Sequence, residues 1–487
     1  MSLAHDPFGP ADHIEVEVLI IGSGAGGAPT AALLAEAGFE VLIVEEGAWV
    51  DQGAVKPFSL EQMARQYRSG GVTVALGRPA VPYTEGQCAG GGTEVNSGLY
   101  KRPPHEVLEA WRADYRIADL DLDEIDTISD EVERDLSVST VPGPTTEASR
   151  ALARGAEALG WRNGEIPRWM AYPERGDALS GRRQSMTVTY LPRAVRAGAR
   201  LATEVRVDRL EIVDGTARAA LVTRSGGRSG RISFRHVFVC GGAIQTPALL
   251  QRSGLRRHIG ASLAVHPTVK LAAKFRDEVN VDDDVPVHQV TEFFPYSSFG
   301  GSASQAGLVA LALNDNWRAF SRQIIDWRRM SVYYAAIRSE GRGRVVAVPG
   351  LRDPVVTYRL TRNDRALLGA SLGRLALAML AAGAEEVFPS FRDAPIVRRA
   401  ADVARLESGF RADRASVMTV HLCSTVPLGE DPNRCGADSH GRIHGTTNVR
   451  VNDASLLPTA PGVNPQATVM AIAIRNARRF IEETPVG

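Results

Sequence analysis

Gly22, Gly24 and Gly27 stand at the spacing G-x-G-x-x-G, directly behind the apolar run 16–21 and ahead of the alanine-rich segment 28–37. Those types in that order read as strand, tight turn and helix. The first glycine permits the turn, the second lets a pyrophosphate approach the backbone, and the third lets helix and strand pack closely. The helix N-terminus then turns unpaired N–H groups and the positive end of its dipole toward phosphate. Gly38 sits where the helix must stop. A second apolar run, 41–44, ends in Glu45, a carboxylate placed to accept hydrogen bonds from a ribose. The spacing alone is a weak signal. With strand, helix, second strand and terminal acid in order it predicts a dinucleotide site.

The rest of the chain must carry and complete that site. With 487 residues, two or three domains are expected. Hydrophobic residues make up 44% and charged residues 23%, so the chain can bury a large core. Lys plus Arg and Asp plus Glu both number 56, and this balance points to neither nucleic acid nor an anionic membrane as partner. Cys88, Cys240, Cys423 and Cys435 contain no C-x-x-C, which argues against a disulfide framework or structural zinc. Residues 1–13 carry no targeting signal, and the most apolar long stretch, 372–382, is short and holds Arg374. These features predict a cytoplasmic protein without a membrane span.

Further along, Gly90, Gly91, Gly92, Thr93 and Asn96 form a second glycine-rich stretch where backbone can pass close to something flat or charged. Acids alternating with apolar residues over 111–138 predict solvated helix faces. A helix is expected over 145–159 and extended chain around Val205 and Val207. Strands are expected at 218–223 and 231–239, the second running into Cys240 and Gly241 and a helix that opens at Thr246 and Pro247. That strand, glycine pair and helix belong in the sheet of Gly22. Runs at 270–275, 287–294, 307–313, 331–338, 343–348 and 355–360 read as short strands, with Gly300-Gly301 and Pro349-Gly350 as turns. With no helices between them they should form an antiparallel sheet. A capped helix follows over 361–382. Residues 448–451 read as a strand, and a last helix opens at Asn464, a good N-cap, with Pro465 at its first position.

The order of these motifs resembles the glucose–methanol–choline (GMC) family of flavin oxidoreductases. The resemblance rests on Gly22 to Gly27 with Glu45, on Gly90 to Asn96, on Gly242 to Gly254, on His266-Pro267, and on the closing run from His421 through Asp453 to Asn464. It implies an α/β, Rossmann-like FAD-binding domain in three pieces, 14–110, 185–268 and 405–487. An inserted α+β, antiparallel-sheet substrate domain would take 111–184 and 269–404. FAD would lie on Gly22, Gly24, Gly27 and Glu45, with adenine near Val205, Cys240 and Gly241. Its ring system would rest near Gly91, Gly92, Thr93, Asn96, Asp453, Ala454 and Pro465. Some relatives bind flavin covalently through a histidine where this chain has Val95, so noncovalent FAD is expected.

The resemblance also implies alcohol oxidation, with hydride leaving to flavin N5. His421 stands in the family position of the base and Asn464 in that of the second catalytic group. An amide holds an oxygen but does not take its proton efficiently, so one base and one positioner are expected. An Asn464 that caps its own helix would be divided between two tasks. Ser424 replaces a usual glycine, which puts the local backbone in question. His444 reads as structural and His266 as closing a turn; His288 and Glu292 are candidates for the pocket wall. The Asp282-Asp283-Asp284 loop, Glu292 and Glu94 would suit a sugar or aminoglycoside hydroxyl substrate if they face the pocket. Oxygen or another acceptor would reoxidise the flavin, and no metal site is expected. Lyase or decarboxylase chemistry on the same fold, a catalytically silent flavin protein, and an NAD-dependent dehydrogenase remain as rival readings.

Overall fold

The structure, a computed structural model, describes residue 8 and residues 12–485. The signal-free reading of residues 1–13 lies mostly outside them. No described helix is long and apolar enough to cross a membrane.

Among the described residues, two large sheets organise the chain. In the first, His13–Ile21 lies between two parallel neighbours, Val41–Val44 and Ser229–Val239. Arg200–Ala202 extends it beyond Val41–Val44, and Val449–Val451 pairs in parallel with the last residues of Ser229–Val239. Antiparallel Thr216–Arg224 and Val205–Val213 finish the other edge. Val18, Leu19 and Ile20 are fully buried, as a parallel strand covered on both faces requires. Helices Gly27–Glu36 and Gln466–Glu483 meet on this sheet through Asn452, whose amide donates to Thr30 Oγ1 at 2.8 Å and to the Ala473 carbonyl at 2.9 Å.

The second sheet is antiparallel throughout. Its order is Glu386–Pro389, Thr268–Lys274, Met330–Ile337, Ser297–Ser302, His288–Val290 and Asn163–Glu165. Helix Arg362–Ala381 backs it, opened by a capping box between Thr361 and Asp364.

Several sequence expectations are corrected. Residues 306–313 form a helix, Ala306–Leu313. The run is apolar throughout and cannot distinguish the two periods, and Val309, Ala312 and Leu313 are buried at helical spacing. Gly300 and Gly301 lie inside a strand, not in a turn, and they are glycines because a Cβ there would strike the Tyr334 side chain and Pro286 respectively. Arg342–Val346 and Val355–Arg359 pair with each other as a separate hairpin. The extended chain expected around Val205 and Val207 is strand Val205–Val213, with helix Tyr190–Arg196 ahead of it. The last helix starts at Gln466 with no side-chain cap, so Asn464 is not its N-cap.

Helix Gly242–Arg252 also starts earlier than expected and carries Pro247 in its interior. Proline lacks the N–H that would bond the carbonyl four residues back, at Ala243. The Thr425 hydroxyl takes over that carbonyl at 2.7 Å, from a different part of the chain. Thr425→Val keeps the shape and leaves a buried acceptor unpaired. It should cost about 1–3 kcal/mol in a urea unfolding measurement.

Candidate active site

The three glycines of the first turn hold distinct positions. A Cβ on Gly22 would overlap the Cys240 carbonyl, and one on Gly27 would overlap the Gly22 carbonyl. Glycine is required at both by the chain's own packing. At Gly24 the nearest atom to such a Cβ is 3.9 Å away, so the protein itself leaves room there. That opening fits a group from outside the chain, as a pyrophosphate on the backbone would be. Ser23 ties the two glycine stretches together. Its hydroxyl donates to Glu45 Oε2 at 2.7 Å and accepts from the Gly90 N–H at 3.0 Å. Glu45 also accepts from the Ser23 N–H at 3.1 Å and the Gly47 N–H at 2.9 Å. Burial pushes its carboxyl above the ordinary value while these donors favour the carboxylate. Each carboxylate oxygen has two lone pairs, so a ribose hydroxyl can still be accepted.

Other expected contacts are narrowed. The Val205 N–H already donates to the Glu45 carbonyl at 2.9 Å, leaving its N–H unavailable to an adenine, and the Cys240 N–H donates to Ile21 at 2.7 Å. Gly241 immediately precedes helix Gly242–Arg252. The Asp453 carboxylate is filled by Gly242 N–H, Thr246 Oγ1, and the N–H and Oγ of Ser455. What Asp453 and Ala454 can offer a cofactor is therefore main chain. In the second stretch, Gly92–Val95 winds into one helical turn, and Thr93 Oγ1 donates back to the Gly90 carbonyl at 2.7 Å. Asn96 donates to Gln466 Oε1 at 2.6 Å and accepts from Arg183 Nη1 at 2.7 Å. Neither Gln466, beside Pro465, nor Arg183 was singled out from the sequence. Arg183 belongs to no motif there, and only the fold brings it to Asn96.

Beyond these loops, His266, His421 and Asn464 line one cavity of ≈580 Å³. Ala264 pairs with Cys423 and Val265 with Leu422 in a short antiparallel bridge, so the register carries His266 to His421. The next contact joins Thr268 to Met418, one step further on the Met418 side, so the strand bulges across 419–421. A bulge re-aims the side chain it carries. His266 Nδ1 and His421 Nδ1 stand 2.9 Å apart, with the rings at 85°. The Gly462 N–H donates to His266 Nε2 at 2.9 Å. Hydrogen positions follow from this chain of bonds. His266 accepts at Nε2, so its own proton sits on Nδ1 and is donated to His421 Nδ1. Neutral His421 then carries its proton on Nε2, the ring nitrogen that remains. Burial pushes His421 down to about 4 and His266 well below its ordinary value, so both rings are neutral near pH 7.

His266 is thus a partner of the candidate base, beyond the turn expected from His266-Pro267. Asn464 makes no side-chain hydrogen bond among the described residues, so the conflict between capping and binding does not arise. Ser424 stands at φ +70, in the left-handed region that favours glycine, and its hydroxyl donates to the Pro458 carbonyl at 2.6 Å. The His444 ring donates from Nε2 to the Gly429 carbonyl, 3.2 Å away. His288 does not line the cavity, although its strand neighbour Gln289 does. The expected acids also lie elsewhere. Glu94 is held by Thr187 at 2.7 Å, Asp284 by Thr146 at 2.7 Å, Asp283 by Lys56 at 3.0 Å and Glu292 by Arg162 at 3.0 Å. Asp282 stands 3.6 Å from Arg328.

Family models described as GMC oxidoreductase match residues 63–268 and 339–473. The chain is a GMC oxidoreductase. It is 40% identical to the "uncharacterized GMC-type oxidoreductase y4nJ" of Sinorhizobium fredii, over 97% of this chain and 95% of that one. It is 25% identical to the 6'''-hydroxyparomomycin C oxidase of Streptomyces lividus, over 97% and 94%. Its fold matches pyridoxine 4-oxidase from "Mesorbium loti" with a TM-score of 0.74 at 19% identity, covering 96% of this chain and 100% of that one. This GMC oxidoreductase is a flavoprotein that uses FAD and acts on CH–OH donors.

The open face at Gly24 gives a direct test of the cofactor site. Gly24→Ala should leave the urea midpoint of the cofactor-free chain unchanged and weaken FAD binding at least about tenfold, ~1.4 kcal/mol. Gly27→Ala should unfold the chain at lower urea. Flavin fluorescence titration and chemical unfolding read the two effects separately.

Proposed function

We propose that this GMC oxidoreductase oxidises an alcohol to an aldehyde or ketone, with His421 taking the hydroxyl proton and Asn464 holding the substrate oxygen. The observation that carries the reading is the convergence of His421, His266 and Asn464 on one cavity. Two things must leave the alcohol, a proton from oxygen and a hydride from carbon. Bound FAD supplies the two-electron acceptor for the hydride. Gly22, Gly24, Gly27 and Glu45 would hold its nucleotide part, and Gly91, Gly92, Thr93 and Asn96 would flank its ring system. Val95 offers no nucleophile, so FAD is held noncovalently. The first sheet would then serve the cofactor and the second the substrate.

The proton step sets a condition on the histidine pair. To accept at Nε2, His421 must carry its resting proton on Nδ1 and donate it to His266 Nδ1. His266 must then hold its proton on Nε2, which faces the Gly462 N–H. The resting bond pattern opposes that arrangement, so His266 and the Gly462 turn govern when His421 is basic. Asn464 presents an amide N–H to the oxygen as negative charge develops there. Glu94, Glu292 and the 282–284 loop do not line the cavity, so these acids lend no support to a sugar or aminoglycoside substrate.

His421→Gln should slow anaerobic flavin reduction by an alcohol roughly 100- to 10,000-fold while FAD is retained. Asn464→Ala should slow it roughly 100-fold. Neutral His421 is the form able to accept a proton, so activity is lost on the acid side of its pKa. The acid limb of kcat/KM should therefore lie near 4, not near 6.5. Acid precipitation should release the flavin into the supernatant. Flavin that no alcohol bleaches would leave the silent-protein reading in place.

A further inference from the structure

We infer that the alcohol received by this cavity carries an anionic group, a carboxylate or a phosphate, which Lys101 and Arg338 hold. The inference rests on the reading of the cavity as the alcohol site.

Four basic side chains line the cavity: Lys101, Arg102, Arg162 and Arg338. Two are already committed. Arg102 binds Glu133 through two nitrogens, at 2.6 and 2.8 Å, and also Asp130. Arg162 binds Glu292 at 3.0 Å. The other two have no carboxylate in contact among the described residues. Lys101 makes no hydrogen bond there, and Arg338 reaches only Thr459 Oγ1, at 3.4 Å. Both are half-buried, and burial lowers the pKa of each because it penalises the charge. A desolvated cation without a counterion is unfavourable unless a ligand brings the counterion.

Position supports the same reading. Arg338 follows the strand Met330–Ile337, and its N–H is fixed by the Tyr296 carbonyl at 2.9 Å. Its Cδ lies 3.7 Å from where a Cβ on Gly462 would stand, the residue that bonds His266. The charge of Arg338 is felt at His266, whose protonation it opposes. An anion on Arg338 would therefore sit beside the histidine pair, with its hydroxyl in reach of the same cavity wall. Glu106 is the carboxylate that lines the cavity among the described residues, and it is exposed. Ser297 Oγ, buried in the wall, has no partner and offers one more donor to an oxygen-rich ligand.

The test uses the FAD-loaded enzyme and a matched panel: terminally hydroxylated hexanoate, hexanamide, hexylamine and hexyl phosphate. Anaerobic flavin reduction gives kcat/KM for each. The carboxylate or the phosphate should exceed the amide by about tenfold or more, with the amine slowest; which anion leads identifies the source. Arg338→Met and Lys101→Met should each cut the anion-to-amide ratio roughly 10- to 100-fold, the size of one charged hydrogen bond. Lys101→Glu should shift preference toward the amine, and this reversal does not depend on Arg338→Met folding. Hexanoate itself should compete with the substrate and hexanamide should not. An amide or amine that matches the anions, or a ratio unmoved by all three variants, overturns the inference and leaves alcohol oxidation standing. Failure of every alcohol to reduce the flavin overturns the alcohol reading instead.

Discussion

The bond between His266 Nδ1 and His421 Nδ1 is the constraint on which the proposed proton step depends. An imidazole has two nitrogens and, when neutral, one proton, so a contact at one nitrogen decides what the other can do. Here the decision begins outside both rings, at the Gly462 N–H. The three groups come from distant parts of the chain. The bridge between Ala264–Val265 and Leu422–Cys423 sets two of them opposite each other, and the turn ahead of the last helix supplies the third. Ser424, in a left-handed conformation that side chains seldom adopt, turns the chain just after the bridge and fastens it to Pro458. That strain, of order 1–3 kcal/mol, is stored next to the candidate base.

Much of the first sheet and its glycine turn was legible in the sequence. Gly22, Gly24, Gly27 and Glu45 announce a strand, a turn, a helix and a second strand because each part leaves a local mark: an apolar run, glycine spacing, an acid at a strand end. Contacts across the chain supply the reason for two of those glycines, through the Cys240 and Gly22 carbonyls. The second sheet and its surroundings were less legible. Gly300 and Gly301 look like a turn, but they are glycines because Tyr334 and Pro286 cover them. The all-apolar run at 306–313 carries no period that separates helix from strand. Pro247 reads as a helix start, but it stands inside the helix because the carbonyl it leaves unpaired is taken by Thr425, far away in the chain.

The candidate site shows the same division. His421 and Asn464 were visible through the family resemblance, and their shared cavity agrees with that reading. His266 was visible as a residue but not as a partner of His421, because a hydrogen bond between rings 155 positions apart leaves no local signature. The acids at 94, 282–284 and 292 misled for the opposite reason. Their charge is evident in sequence, while the threonines, lysine and arginines that absorb it become neighbours only on folding. The charged side chains that line the cavity are four basic ones and the exposed Glu106.

The most direct measurement is the ¹⁵N spectrum of His421 in the resting, FAD-loaded enzyme, assigned by difference against His421→Gln. The account predicts a protonated, pyrrole-type Nε2 and an unprotonated, pyridine-type Nδ1 at neutral pH, with the pattern released on His266→Phe. A protonated Nδ1 in the resting enzyme, or a tautomer indifferent to His266, would contradict it.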